Sequence, residues 1–467
     1  MTRPGVRVGW GLGVFLLALA WNLAIDRSTT PIGASEEHFA LGQRLYRTGS
    51  LVAGPDPGLL RPPGYPAFVA ATLRVRDLLA GVQGPGSPAM GDEDAVLLAQ
   101  CLVVAATSTV IFAFAATMTP PLEAACAGLV FAVGPISLAL VGLRSYQALH
   151  LFGLALATTQ LALAAKVPGG RSWSVLPAGA SWGIATLVRP VSLILPPFVF
   201  LLGRLPRGGT WRAAVRLALL FTAGMALAIL PYSVRNYRVA GRLVPVNLQS
   251  GFHLWGATAT RPVVSEDSLA WLELWNQYGM TLYRQVTGRA DYDLGAMSSH
   301  VVEMESAFRR QALANIKRRP TVYLRNVADN VWRFCSDPMA SWPTTFADQN
   351  QLSRPRTRVL VGAYSLGLLL LALPGVARGL QRRDAVAWTL FLVSGSLVAA
   401  HAVGFYYGRY GYVKLPLLVM ALAVTLSSFE GRSIELGRQR LRIRVAALVA
   451  VGVALGSAGA TWLLLQS

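Results

Sequence analysis

Residues 59–70, LLRPPGYPAFVA, are the stretch on which the fold of this chain depends. Pro62, Pro63 and Pro66 each lack a backbone N–H and fix φ, so none can lie inside an undisturbed helix or a paired strand. A basic residue, Arg61, and a glycine accompany them, and an apolar run follows. The segment is therefore predicted to be a shaped turn.

The composition around this turn is that of a membrane protein. The 467 residues are 54% hydrophobic and only 14% charged, and apolar stretches close to the roughly 20 residues that cross a bilayer recur along the chain. We predict an all-α polytopic membrane protein with about eleven transmembrane helices, at 8–25, 95–117, 121–141, 146–165, 174–188, 190–203, 213–232, 358–374, 386–404, 412–428 and 445–465.

Two of these stretches, 174–188 and 190–203, are short for a span. They are interpreted as a tight pair that meets at Arg189 and Pro190, with a re-entrant hairpin as the alternative. The first stretch follows basic residues, as in a signal peptide, but its length favours an uncleaved first helix.

Lysine and arginine in the short loops predict the orientation, because cytoplasmic loops are enriched in both. With the N-terminus in the cytoplasm, the cytoplasmic loops hold most of these cations, including the cluster at 432–444. Both long loops, 26–94 and 233–357, then lie outside. The predicted organisation is an N-terminal transmembrane module (1–232), a small outer domain of mixed polarity (233–357) with a helix ended by Pro320, and C-terminal transmembrane helices (358–467).

Several functional classes are disfavoured. The net charge of +20 lies largely at membrane ends, where it orients helices and meets anionic lipid. No zinc-finger spacing or basic region with heptads is present, so no nucleic-acid partner is predicted. Three cysteines and five scattered histidines give no metal-ligand spacing, and no metal or other cofactor is predicted.

The first outer loop contains a predicted amphipathic helix. Phe39, Gly42, Leu45 and Tyr46 fall on one face, which is expected to lie in the membrane interface plane. Two acidic residues, Glu36 and Glu37, stand at its start. They are either functional carboxylates or the acidic first turn of a helix capped by Ser35.

Five arginines lie beside the predicted outer ends of spans, and arginine is costly in lipid. Planar guanidinium groups suit phosphate oxygens, so an anion site at this level is predicted. Snorkelling to the interface is the alternative for each one. The five are Arg61, Arg144, Arg189, Arg235 and Arg409.

Six segments follow one another along the chain: EEHFALGQRLYRTGSL, RPPGYPAFVA, GLRSYQALHLF, GIATLVRPVSLILPP, ILPYSVRNYRVAGRLVPVN and GRYGYVKLPLL. In this order they resemble segments of the GT-C class of membrane glycosyltransferases. The resemblance is closest to the aminoarabinose-transferase and protein O-mannosyltransferase-like (family 39 type) group. It implies transfer of a sugar, with inversion, from a polyprenyl-phosphate donor to an extracytoplasmic lipid, glycan or protein. It also implies a bacterial inner (plasma) membrane protein with its catalytic chamber between the outer loops and the membrane.

The resemblance assigns site residues, with two departures. Ser35 stands where these enzymes carry the aspartate base, so Glu36, or Glu37 beside it, is the predicted catalytic carboxylate, and Glu36 is preferred. Gln147 stands at the second acidic position, where an amide can position a sugar hydroxyl but cannot take a proton. Phe39 replaces the usual tyrosine.

The resemblance implies that Arg61 binds the phosphate of the donor, and Arg235 or Arg409 is predicted to assist. Predicted substrate-binding residues are Tyr65, which stacks on a sugar or anchors at the interface, and Arg144, Gln147 and Arg189. Three other functions stay open. They are a non-catalytic relative that binds lipid-linked sugar, a transporter or flippase for such a lipid, and a polymerase or ligase of surface glycans.

The predicted topology is testable by labelling. A cysteine introduced at Gly54 lies in the first outer loop, so an impermeant thiol reagent is expected to modify it in intact cells. A cysteine in the 432–444 cluster is expected to react only after the membrane is opened. Protection of the first cysteine in intact cells would reverse the orientation.

Overall fold

The structure is a computed structural model that describes residues 4–24, 36–52, 56–81, 90–135, 140, 146–166, 172–206, 209–259, 274–336, 355–404, 412–429, 433–436 and 441–466. These ranges are almost entirely helical. The first nine helices are α1 (Pro4–Ala24), α2 (Glu36–Thr48), α3 (Gly64–Leu79), α4 (Asp92–Ala115), α5 (Pro121–Val133), α6 (Gln147–Lys166), α7 (Val175–Val188), α8 (Pro196–Arg204) and α9 (Trp211–Ala240). The next nine are α10 (Ser250–Gly256), α11 (Met280–Thr287), α12 (Leu294–Ser299), α13 (Val301–Arg318), α14 (Pro320–Ser336), α15 (Pro355–Gln381), α16 (Ala385–Ala402), α17 (Lys414–Ser427) and α18 (Val445–Gln466).

Local sequence signals explain where several helices begin and end. Thr210 caps α9 by accepting a hydrogen bond from the N–H of Ala213, and Asp384 caps α16 by accepting two such bonds. Proline is the first residue of α5, where its missing N–H costs nothing. α9 ends at Gly241, whose φ of 66° is in the left-handed region that glycine adopts freely.

Six described helices are long and apolar enough to cross a membrane: Gly5–Ala24, Asp92–Ala115, Gln147–Lys166, Trp211–Ala240, Val361–Gln381 and Ala385–Ala402. Large aliphatic side chains stay exposed along them, including Leu16 of α1, Leu227 of α9 and Leu370 of α15. Such exposure suits helices that face lipid. The chain is a multi-pass membrane protein.

The other predicted spans also contain helix, which is short in all of them except α18, so the number eleven remains a prediction. α5 stops at Val133, and α7 has 14 residues. The predicted break between the two short stretches is present: α7 ends at Val188, Arg189 is extended, and a 3-10 turn, Pro190–Ile194, precedes α8. Pro190 explains the break because it cannot continue a helix.

α7 and α9 cross with their backbones in close contact. A Cβ at Gly179 of α7 would overlap the carbonyl oxygen of Phe221, and one at Gly224 of α9 would overlap that of Leu176. Small residues allow this approach. Close van der Waals packing then stabilises the helix pair, because in a bilayer no hydrophobic effect drives helices together. This crossing places the end of α7 beside the end of α9.

α2 packs against α3, which corrects one prediction. Phe39 and Tyr46 of α2 join a cluster with Val69 and Leu73 of α3, and a Cβ at Gly42 would lie 2.5 Å from Cβ of Val69. The apolar face expected to lie in the membrane interface is therefore covered by protein. The turn before α3 returns the chain onto α2, and this return provides the cover.

Polar contacts lock α2, α3 and the start of α4 together. Tyr46 donates to Asp77, Arg76 donates to Asp77 at 2.9 Å and to Asp92 at 2.5 Å, and Gln43 donates to Asp92 at 2.7 Å. The hydrogen bond from Tyr46, aided by Arg76, holds the pKa of the Asp77 carboxyl below its usual value despite burial. The carboxylate is thus charged at neutral pH.

The predicted start of the second outer segment lies within a helix. α9 continues to Ala240, so the predicted boundary at 232/233 falls inside a helix, and Arg235, Asn236 and Tyr237 belong to its last turns. The helix expected to end at Pro320 is confirmed as α13, and Pro320 begins α14. A π-helical turn, Trp275–Gly279, precedes α11.

Within the described ranges, a short antiparallel hairpin departs from the all-α prediction. Strand β1 (Ser433–Leu436) pairs with β2 (Leu441–Arg444), with Ser433 opposite Arg444. Both sequences, SIEL and LRIR, alternate apolar and polar residues, which is the period of a strand. The hairpin lies in the basic segment before α18.

The close contact of α7 and α9 at Gly179 and Gly224, here called the glycine crossing, predicts different effects for Gly→Ala substitutions at two positions. Gly179→Ala adds a methyl group against the carbonyl oxygen of Phe221, so we expect it to lower the Tm of the detergent-solubilised protein, at a cost of about 1–3 kcal/mol. The control is Gly367→Ala in α15, because a Cβ there meets open space. Alanine is the better helix former, so the control Tm should hold or rise. A Tm for Gly179→Ala at or above the parent's would contradict this crossing.

Candidate functional site

The turn that leads into α3, residues 57–64, is here called the proline turn. The end of α9 holds it by hydrogen bonds. Arg235 donates to the carbonyl oxygen of Pro57 at 2.7 Å and to that of Gly58 at 3.4 Å, and the hydroxyl of Tyr232 donates to Gly58 at 3.2 Å. The guanidinium also lies 5.6 Å from the centre of the Tyr232 ring. Arg235, predicted to bind phosphate, thus bonds to the turn, and it does not line the cavity described below.

The second outer segment holds the same turn from another side. Asn236 donates to the carbonyl oxygens of Val244 and Val246, which folds residues 244–248 back onto α9. From there the backbone N–H of Leu248 donates to Leu59 at 3.0 Å, and the amide of Asn247 donates to Leu60 at 3.1 Å. The two predicted outer loops are thereby joined by direct hydrogen bonds.

Gly64 provides the third contact. A Cβ at this position would lie 2.7 Å from both the backbone nitrogen and Cγ2 of Val188, the last residue of α7. Only glycine allows the chain after the proline turn to approach the end of α7 this closely. The approach places the turn that carries Arg61 next to Arg189.

These contacts enclose a cavity of about 860 Å³, which is within the size range of small-molecule sites. Its walls come from the proline turn, the break after α7, the outer segment and the end of α16. Polar groups that line it include His38, Arg61, Tyr146, Arg189, Asn247, Gln249, Ser250, His253, Tyr292, Glu305 and His401. Two of the five predicted arginines, Arg61 and Arg189, therefore lie in one cavity.

Arg61 forms an ion pair with Glu37. The two side chains approach to 2.5 Å, and each is about one third exposed. Glu37 is the second residue of α2, so the pair links the proline turn to the start of that helix. Both members of the pair had been assigned to the site from the sequence.

Glu36 is the first residue of α2, but its side chain is outside the described part of the chain, as is Ser35. The role of Glu36 as a base therefore stays a prediction.

Arg189 is 9% exposed and is held by the C-terminal half of the protein. It donates to the hydroxyl of Tyr412 at 2.7 Å, and another of its nitrogens lies 3.4 Å from Nε2 of His401. Nδ1 of His401 lies 2.7 Å from the carbonyl oxygen of Leu397. That carbonyl can only accept, so Nδ1 carries the proton and Nε2 presents its lone pair to Arg189.

The remaining predicted residues lie elsewhere. Tyr65 is buried between α2, α3 and α4, where its hydroxyl donates to Gln100 at 2.8 Å, so its position gives no support to a substrate contact. Gln147, the first residue of α6, is 2% exposed and follows Tyr146, which lines the cavity. Its Oε1 has no hydrogen-bond partner within the described ranges. Arg144 and Arg409 lie outside the described residues.

One buried carboxylate in the cavity wall was missed by sequence reasoning. Glu305 of α13 is 3% exposed and lines the cavity. The available signal was its helical spacing with Val301, Met304 and Phe308, which places an acidic residue on the apolar face of an amphipathic helix. In the described part of the chain, no group of three His, Cys, Asp or Glu side chains is placed to hold a metal.

By sequence, the chain matches no family model and no curated protein. Its fold does match solved structures. Oligosaccharyltransferase AglB from Archaeoglobus fulgidus superposes with a TM-score of 0.55 in its apo form and 0.54 in complex with an inhibitory peptide and a dolichol-phosphate. In both cases the identity is 13%, and the match covers 98% of this chain and 55% of the AglB chain.

This chain thus spans about half the length of AglB. ArnT from Cupriavidus metallidurans bound to undecaprenyl phosphate is 16% identical, with 87% of this chain and 76% of that chain covered, but its TM-score is only 0.40. The overlap with AglB is the one that defines the architecture. The chain has the fold of a GT-C membrane glycosyltransferase, as the sequence resemblance implied.

Proposed function

We propose that this protein transfers a sugar from a polyprenyl-phosphate donor to an extracytoplasmic acceptor, which is a lipid, a glycan or a protein. One observation carries the proposal: Arg61 and Arg189, from distant parts of the chain, line one cavity beside the helix that begins with Glu36 and Glu37. Two guanidinium groups in a cavity with apolar walls suit the phosphate of a lipid. The AglB complex, which holds a dolichol-phosphate, gives further support to a lipid-phosphate ligand.

In this proposal the acceptor oxygen attacks the anomeric carbon, and its new bond to that carbon forms as the bond between carbon and phosphate oxygen breaks. The electron pair leaves with the phosphate, and the acceptor proton passes to Glu36. Attack opposite to the leaving group inverts the anomeric carbon. Arg61 and Arg189 stabilise the charge that develops on the phosphate.

The other predicted arginines take different positions in the proposal. Arg235 acts through the proline turn, which it holds by two backbone carbonyls. Arg144 and Arg409 keep their predicted roles in substrate and phosphate binding. The proposed setting is the bacterial inner membrane, with the N-terminus in the cytoplasm and the cavity on the outer side.

A second candidate, a relative that binds lipid-linked sugar without transferring it, is favoured by one observation. Gln147, at the position where related enzymes are expected to carry an acid, is a buried amide with an oxygen that has no partner in the described chain. An amide can hold a hydroxyl but cannot accept its proton. Binding without transfer is therefore an outcome that the assay must separate.

The decisive assay incubates the purified protein in liposomes with labelled polyprenyl-phosphate sugars and a cell-envelope acceptor fraction. Transfer moves the label to a new carrier. Binding alone leaves the label on the lipid and bound to protein. Label that crosses the bilayer on its original carrier would support a transporter in place of the transferase.

Arg61 variants test the phosphate contact. We expect Arg61→Ala to weaken binding of polyprenyl phosphate more than Arg61→Lys does, because lysine keeps the charge but loses the planar pair of donors. The matched control is Arg74→Ala, since Arg74 is exposed on α3. Equal affinity of the two Arg61 variants and the parent would remove Arg61 from the site.

Glu36 and Glu37 variants separate base from positioning residue. Glu36→Gln keeps size and hydrogen bonding but removes the base, so turnover should fall on the order of a hundredfold with donor binding nearly unchanged. Glu37→Gln should cost turnover much less, because Glu37 is paired with Arg61. Single-turnover transfer and donor affinity are measured for both. If both variants transfer sugar as fast as the parent, neither carboxylate is the base.

A further inference from the structure

The wall of the cavity that the outer segment forms contains a group that the proposed transfer does not use. This group is Glu305, whose neighbours on the same face of α13 are apolar. A buried carboxylate is costly unless hydrogen bonds compensate it. Its partners therefore show whether it serves the fold alone.

One oxygen of Glu305 is fully engaged. Oε1 accepts from the hydroxyl of Ser250 at 2.6 Å, from the backbone N–H of Gly251 at 2.7 Å and from Arg309 at 3.0 Å. These bonds fix the carboxylate against the start of α10. The structural role of Glu305 is carried by this one oxygen.

The other oxygen, Oε2, is buried and has no hydrogen-bond partner among the residues that the structure describes. Leaving such an acceptor unsatisfied is unfavourable. Because Glu305 lines the cavity, a ligand that enters the cavity and donates a hydrogen bond would satisfy it. Oε2 is thus a fixed acceptor for which the described residues supply no donor.

Aromatic rings line the same cavity as this acceptor, namely those of Phe252, Trp275, Tyr292 and Phe308. Trp275 is half-buried and meets Tyr292 edge to face, with ring centres 5.5 Å apart. The π-helical turn brings Gly279 under Trp275, where a Cβ would lie 2.5 Å from the indole ring. The indole is therefore fixed in orientation, and π-helical turns often occur at functional sites.

We propose that Glu305 and Trp275 form a subsite for a sugar ring. A pyranose or furanose presents a face of C–H groups, which packs on an aromatic ring, and a rim of hydroxyls, which donate to a carboxylate. Asn247, Gln249 and His253, which line the same cavity, add further polar contacts for the rim. The inference rests on the proposed function, because the sugar is either the one on the donor lipid or one on the acceptor.

The geometry allows a variant that separates the two roles of Glu305. Glu305→Gln keeps an oxygen in place of Oε1, so the hydrogen bonds from Ser250 and Gly251 can persist. It replaces the free acceptor by an NH₂ donor. The matched control is Glu303→Gln, because Glu303 is exposed on the same helix.

The test measures dissociation constants for three probes: undecaprenyl phosphate, undecaprenyl-phosphate monosaccharides of the hexose and pentose types, and alkyl glycosides. We expect Glu305→Gln to raise the Kd of the sugar-bearing probes about tenfold or more. It should leave the Kd of bare undecaprenyl phosphate and the Tm near the parent's. Glu303→Gln should change none of these values.

Two arms identify the source of the sugar. An effect on the sugar-bearing lipid alone assigns the subsite to the donor, and an effect on the alkyl glycosides assigns it to the acceptor. Trp275→Leu should reproduce the effect without changing the affinity for bare lipid, whereas Trp332→Leu, at a residue that is 72% exposed, should not. This pair keeps the inference testable if Glu305→Gln proves unstable.

The inference is overturned if neither Glu305→Gln nor Trp275→Leu changes the Kd of any sugar-bearing probe, or if the parent protein binds none of them. Its failure is distinct from failure of the proposed function. A parent that does not bind undecaprenyl phosphate contradicts the lipid-phosphate proposal. Glycoside binding that depends on Glu305 would still support the subsite.

Discussion

The position of one turn determines whether this molecule has a site at all. Residues 57–64 are held by the end of α9, by residues 247 and 248 of the outer segment, and by close approach of Gly64 to Val188. Each contact joins a different part of the chain to the same short segment. Without them Arg61 would belong to a surface loop, and Arg189 would face a cavity with one wall missing. The glycine crossing of α7 and α9 matters for the same reason, because it brings two of the three supports together.

The ion pair of Arg61 and Glu37 affects how a phosphate would bind. An arginine that already has a carboxylate partner presents less net charge to an incoming anion, but its guanidinium is oriented before the ligand arrives. A phosphate must share Arg61 with Glu37 or displace it. Arg189 has a different environment, because its described partners, Tyr412 and His401, are neutral in the arrangement seen here. The two arginines therefore offer a preorganised donor group and an almost fully buried positive charge in the same cavity.

The sequence was sufficient for the membrane class, the turn as far as Pro63, the break at Arg189 and the helix before Pro320, because each depends on local rules for proline, hydropathy and helix ends. The rest of the predicted turn is helix: α3 begins at Gly64 and includes Pro66 in its first turn, where a missing N–H costs no helical hydrogen bond. The sequence also predicted that Arg61 and Arg189 both lie beside the outer ends of membrane spans, at the same depth relative to the bilayer. The sequence was a poor guide where contacts between distant parts of the chain determine the surroundings of a side chain. The apolar face of α2 was expected to lie in the membrane interface, although α3 covers it. For Arg235 the sequence did not indicate the hydrogen bonds to backbone carbonyls that the fold provides. Glu305 was missed because an acidic residue in an outer helix is ordinarily solvated, and only the fold shows that this one is buried.

The way the turn is held has a consequence for how the sequence can vary. Arg235, Tyr232, Asn247 and the N–H of Leu248 all bind main-chain carbonyl oxygens of residues 57–60, and none of these bonds involves a side chain of the turn. A carbonyl is present whatever residue supplies it. Substitutions at Leu59 or Leu60 that keep the backbone path therefore leave the hydrogen bonds intact, whereas loss of Arg235 or Asn247 removes a bond that no neighbour can restore. The donors that fix the backbone path of the turn therefore lie outside it, in the second outer segment and at the end of α9.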